Sequence, residues 1–427
     1  MTMQTTDNCG CPAPSGLSRR GVLGRALAVG AGGTLAGLVG DGLSSRLAFA
    51  ATPAYTGDTL VVLSLRGGFD GLSAVVPAGD PEYYRARPTI GVPRARLIGG
   101  DAMFGLHPAL APLVPFWQSG KLAAVHAVGQ SSPSRSHFAA MEELERAAPG
   151  TSLRTGWLDR MLGLLGATNP FNGVSIGHGT PSRAMYGPTP DLGLRSIDSF
   201  QLAGDSTWAP MANTVRDLYV NAPEVLAAPA RAASAALTTT TAMAAAGYTP
   251  ANGATYPDTD LGKALRDVAR LIKRKVGLMT ACVDFGDWDM HEGLGLPSSG
   301  QWMHDHLAQL AKALAAFATD LGPAGMSSVT LLTLSEFGRR VQENGSKGTD
   351  HGHGNAMLLL GGAVRGGKVY GRWPGLAPAQ LFQGDLATTT DYRAVIGEVL
   401  QRRCGVGSLT NVFPGVTPTS FGLVAAR

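Results

Sequence analysis

The chain has 427 residues, with 35 basic and 31 acidic side chains, a net charge of +4 and four cysteines. Charge so nearly balanced excludes the basic face of a nucleic-acid binder, and so few thiols exclude a disulfide scaffold. A hydrophobic share of 44% suits a core of ordinary size, either one large α/β domain or two smaller ones.

The N-terminus reads as a removable export signal over residues 1–50. Ser18-Arg19-Arg20-Gly21-Val22-Leu23 precedes an apolar, Gly- and Ala-rich run from Ala26 to Val39, and Ala48-Phe49-Ala50 supplies the small residues of a cleavage site after Ala50. The arginine pair points to the twin-arginine translocase as the partner during export, which carries folded proteins and suits a chain loaded with metal before secretion. The run is short for a bilayer span, which needs roughly 20 apolar residues, so no stable membrane span is expected after cleavage. The expected destination is periplasmic or extracellular. Removing the signal takes away Cys9 and Cys11 and leaves 31 basic and 29 acidic groups. Only Cys282 and Cys404 remain, and one bridge between them is conceivable.

Thr59 to Leu65 is a continuous apolar run ending at Arg66-Gly67-Gly68-Phe69-Asp70-Gly71, the pattern of a buried parallel strand and a glycine turn. A second strand, Leu122 to Val128, leads through a Ser/Pro cluster into a helix over Ala139 to Arg146. His178 to Asp198 is turn-rich, and Val225 to Asp260 reads as a helix plus a surface loop. Helical periodicity follows at Lys263 to Lys275 and Trp302 to Leu321, beside strands at Leu278 to Phe285 and Val329 to Leu334. Strands alternating with helices predict an α/β fold with a central, mixed and mostly parallel sheet covered on both faces. Residues 51–427 are expected to form a single domain with insertions near 178–260.

Ligand-type side chains gather where the predicted strands end, which is where open α/β sheets build their sites. They are Asp70; Ser136 and His137; Asp287, Asp289 and His291; Glu336; and Asp350, His351 and His353 in the run Thr349-Asp-His-Gly-His-Gly354. Carboxylates and imidazoles without thiolates suit one or two divalent ions: zinc, manganese, calcium or magnesium. The glycines around His351 and His353 let the backbone bend so that side chains converge. Asp289 and His291 share one side of an extended strand end, whereas Asp287 and His291 would pair on a helix. Ser136, at a helix N-terminus, feels the positive end of the dipole and becomes a nucleophile beside a metal. Arg135 offers a guanidinium fork to an anionic substrate. His107, His126 and His178 read as structural. No Gly-x-Ser-x-Gly elbow, Walker loop or first-strand dinucleotide fingerprint occurs.

Five motifs in order behind a twin-arginine signal, Arg66 to Gly71, Arg135 to Phe138, Trp288 to His291, Ser335 to Arg339 and Thr349 to Gly354, resemble the exported bacterial proteins of the domain-of-unknown-function family 1501. That family looks related to the alkaline phosphatase and sulfatase superfamily. The resemblance implies an alkaline-phosphatase-like α/β/α sandwich and a metal-dependent hydrolase of phosphate or sulfate esters, small or polymer-borne. It further implies metal ligation by Asp70, Asp289, His291, Asp350, His351 and His353, with Ser136 as nucleophile. Ser131 stands as an alternative nucleophile, because Ser131-Ser-Pro-Ser-Arg135 looks like a sulfatase activation motif. The competing expectation is an exported metalloprotein without activity that binds a surface polymer or a partner.

Overall fold

A computed structural model describes residues 55–131, 134–201 and 211–427. The signal segment, Ser132 and Pro133 lie outside the described residues.

Among the described residues nine strands form one sheet: β1 (Thr59–Leu65), β2 (Leu122–Gly129), β3 (Gly173–Ile176), β4 (Leu192–Leu194), β5 (Thr280–Phe285), β6 (Val329–Leu334), β7 (Asn355–Gly361), β8 (Val369–Tyr370) and β9 (Thr390–Asp391). The order is β8-β2-β7-β6-β1-β5-β3-β4, with β9 also paired to β2. Every pairing is parallel except the two made by β7, which runs against both β2 and β6. The predicted β1 and β6 have the bounds expected from sequence. β5 starts two residues later than expected.

β1 is buried throughout because both faces of the sheet are covered. Val61, Leu63 and Leu65 point to one face, and Leu60 and Val62 to the other. The first face packs against α4 (Glu224–Ala245), α5 (Asp260–Lys273) and α6 (Trp302–Met326). The second packs against α1 (His137–Arg146), α2 (Trp157–Leu164) and α7 (Tyr392–Arg403). α3 (Met211–Tyr219) packs beside α4. This is the α/β/α arrangement expected. Gly322, at φ 63°, breaks helical geometry within α6 just before Pro323. No described helix is long and apolar enough to cross a membrane.

Cys282 and Cys404 are both buried and unbridged, so the conceivable disulfide is absent. His107 and His126 are buried as structural groups. His107 accepts from the N–H of Ala109, and His126 Nε2 lies 2.9 Å from the carbonyl of Val75. Burial pushes their imidazoles down to about 3 and about 4, respectively.

Candidate metal centre

The parallel strands point their C-terminal ends at one edge of the sheet, and β7, being antiparallel, begins there. Loops leaving β1, β2, β5 and β6 and the loop entering β7 therefore meet. Gly67 sits at φ +110°, and a Cβ on it would come within 2.7 Å of the Asp289 backbone nitrogen, so the first and third loops touch only because that residue is glycine. Gly352 plays the same part against Arg339, whose backbone carbon would lie 2.4 Å from a Cβ.

Four side chains converge at this junction. His351 Nε2 lies 3.0 Å from His137 Nε2 and 3.0 Å from His291 Nε2. Asp289 Oδ1 is 2.9 Å from His351 Nε2 and 3.0 Å from His291 Nε2, and its Oδ2 is 3.3 Å from His137 Nε2. His137, Asp289 and His351 can each offer one ligand atom within 4.8 Å of the others.

The far side of each ring decides the chemistry. His137 Nδ1 is 2.7 Å from Glu336 Oε1, His291 Nδ1 is 2.9 Å from Asp350 Oδ1, and His351 Nδ1 is 2.8 Å from the carbonyl of Arg135. Carboxylates and carbonyls accept, so each Nδ1 is placed to donate, and a ring holding its proton there turns Nε2 inward as a ligand atom. His351 Nε2 and the Asp289 carboxylate lie at the middle of the group, with His137 and His291 on either side, and a cation among them would offset the charge of the carboxylate. Imidazoles oriented by carboxylate or carbonyl partners are the arrangement proteins build around metals. The donor set of three nitrogens and one carboxylate oxygen fits a divalent ion such as zinc.

Support behind the cluster is dense. Glu336 is 3% exposed and also accepts from the Gly67 N–H and the Ser335 hydroxyl. Arg339, 1% exposed, donates to the carbonyls of Gly67, Gly68, Trp288 and Thr349 and, at 2.7 Å, to Asp289 Oδ1. Burial alone would raise the Asp289 carboxyl, but the hydrogen bond and charge of Arg339 outweigh it and hold the group well below the usual carboxylate range. Hydrogen bonds from His291 and Asn344 likewise hold Asp350 low.

The expected ligands divide accordingly. Asp289, His291 and His351 join the cluster, and Asp287, exposed at φ 64°, does not. Asp350 lies behind His291, with Oδ1 2.9 Å from its Nδ1. Asp70 is a correction: it is fully buried, with both carboxylate oxygens taken by Arg87 at 2.5 and 3.0 Å and by the Ser73 hydroxyl at 2.7 Å. His353 is another, since its ring packs on Phe382 and lies near Asp385 and Arg135, away from the imidazole cluster. The Arg135 guanidinium pairs with buried Asp385, which Arg340 also reaches, so its carbonyl, not its fork, serves the centre. Ser136 is the exposed N-cap of α1 and makes no capping bond with its side chain. Ser131 is also exposed. His137 was not among the expected ligands. Its position one residue into α1 and beside Ser136 is the only local signal; its partner Glu336 lies 199 residues away.

A family model described as "Protein of unknown function (DUF1501)" matches residues 124–410. No protein of curated function matches the chain. Among solved structures, the chain is similar to the C-terminal periplasmic domain of EcEptC from Escherichia coli, at 12% identity and a TM-score of 0.36 over 88% of this chain and 92% of that one. It is similar also to the PsFucS1 sulfatase from Pseudoalteromonas sp., at 11% identity and 0.35 over 87% and 74%. A third is the lipoteichoic acid synthase LtaP from Listeria monocytogenes, at 10% and 0.31 over 84% and 80%. Likenesses at TM-scores this low carry no weight for what this chain does.

Proposed function

The chain belongs to the DUF1501 family, and from that premise we propose that it is an exported, metal-dependent hydrolase of phosphate or sulfate esters. The observation that carries the reading is the ring geometry: three imidazoles, each with Nδ1 beside an acceptor, turn their Nε2 atoms toward Asp289. His137, His291, His351 and Asp289 would hold the ion, and zinc or manganese suits nitrogen-rich donors better than calcium or magnesium, which favour oxygen. A divalent ion bound there supplies a Lewis acid for an ester oxygen and lowers the pKa of a neighbouring hydroxyl.

The rest of the chemistry falls to the chain. Ser136 adjoins ligand His137, and its hydroxyl has no hydrogen-bond partner among the described residues. The positive end of α1 favours negative charge at that position, both on the serine oxygen and on an anionic ester. Arg339 fixes Asp289 while neutralising part of its charge. Export rests on the arginine pair and the Ala-x-Ala segment of the sequence.

Turnover of 4-nitrophenyl phosphate and 4-nitrophenyl sulfate by the mature chain tests this. Chelation should abolish turnover, and zinc or manganese should restore it. Ser136→Ala should lower it by orders of magnitude. Turnover indifferent to chelation would overturn the metal reading, and full activity in Ser136→Ala would remove that nucleophile alone. Metal bound without turnover across a broad ester panel would favour the non-catalytic metalloprotein.

A further inference from the structure

Two cavities open on the same edge of the sheet as the metal centre. One, of about 370 Å³, is walled by Arg66 after β1, Asp284 on β5, and Glu145, His178, Ser182 and Arg183. The other, of about 420 Å³, is walled by Glu142, Arg146, Arg154 and Tyr186, and it shares Glu145 and Arg183 with the first. Each lies in the size range of small-molecule pockets, about 300–1,000 Å³, and the shared walls make them neighbours.

Their position ties them to the centre. Arg66 immediately precedes Gly67, which donates to Glu336 behind His137, and the Arg66 carbonyl accepts from the Trp288 N–H one residue before Asp289. α1 carries His137 at its start and Glu145 eight residues later, about 12 Å along the axis.

The lining has a definite chemistry. Arg66 donates to Asp284 Oδ2 at 2.6 Å and to Glu145 Oε1 at 2.9 Å, fixing two carboxylates with one guanidinium. The second oxygen of each carboxylate, Glu145 Oε2 and Asp284 Oδ1, makes no hydrogen bond among the described residues and stays available as an acceptor. Beside them the Arg183 guanidinium is exposed and has no ion-pair or hydrogen-bond partner among the described residues. Fixed acceptors next to a free donor fork match hydroxyl groups, which both donate and accept. Four arginines against three carboxylates leave the lining almost neutral, which does not select a polyanion. Tyr186, 62% exposed, adds an aromatic face with a polar tip.

Building on the ester-hydrolase reading, we propose that these cavities form one trough binding a neutral, polyhydroxylated glycan segment, with the ester-bearing unit reaching the metal centre. The mature, metal-loaded chain should be titrated calorimetrically with gluco-, manno-, galacto- and xylo-oligosaccharides of one to six units, alongside Arg183→Ala/Tyr186→Ala. Both side chains are exposed, so the double variant keeps its fold, and its metal content should equal wild type. At least one series should bind with Kd falling tenfold or more from monomer to hexamer, and the double variant should lose tenfold or more on the hexamer. Absence of binding by all four series, affinity independent of length, or an unchanged Kd in the double variant would overturn the trough. Metal content measured on the same samples separates the two ideas: a wild type that takes up no metal on loading defeats the hydrolase reading, whereas full metal without length dependence defeats only the trough.

Discussion

Asp70 meets Arg87 and Asp289 meets Arg339, and each arginine is 1% exposed. Arg87 takes both oxygens of Asp70 and Ser73 adds a third bond, so that carboxylate is saturated and sealed in the interior. Arg339 takes only Oδ1 of Asp289, whose side chain stays 47% exposed and faces three imidazoles. The same pair of residue types thus gives a structural knot in one place and a half-neutralised, exposed carboxylate in the other. What separates them is how many carboxylate oxygens the arginine claims and whether solvent can reach the rest.

Breaking the knot should give the largest effect. Arg87→Met leaves a buried charge without its partner and should cost about 3–5 kcal/mol in chemical denaturation, while metal per folded chain stays at the wild-type value. Loss of metal from folded Arg87→Met would erase the distinction. Disturbing the other region should do the reverse. Glu336→Gln removes the carboxylate behind His137 and should weaken metal binding by about 10–100-fold in chelator competition, and Asp350→Asn, half-exposed behind His291, should fall at the lower end of that range.

The smallest expected effect is a pH dependence of stability. Burial alone would raise the Asp70 carboxyl, but the charge and hydrogen bonds of Arg87, aided by Ser73, hold it below its ordinary value of 3.8. A lowered folded pKa contributes stability that is complete above the unfolded value and is lost as pH falls through the folded one. Chelator-treated wild type should therefore lose stability below about pH 4 more steeply than Asp70→Asn does. Equal slopes would show that the pair adds nothing to acid resistance.

Much of this was legible in the sequence. The apolar runs of β1 and β6 and the Gly/His-rich loop announce themselves locally, and Asp289, His291 and His351 sit at strand ends where such folds place ligands. The rest depended on contacts that no window contains. Arg87, 17 residues beyond Asp70, gives no sign that it will claim both oxygens. His137 is read as a ligand only once Glu336 is seen behind it. β7 was hidden because its apolar run follows the ligand loop without a break. β3 and β4, at four and three residues, are too short to show a period.

Elemental analysis of the mature chain, purified without metal-affinity resin and compared with Asp289→Ala/His351→Ala, tests the centre most directly. Close to one divalent transition-metal ion per chain in wild type, and almost none in a variant that still folds, is the predicted result. A folded wild type that carries no metal and takes up none from added zinc or manganese would contradict it.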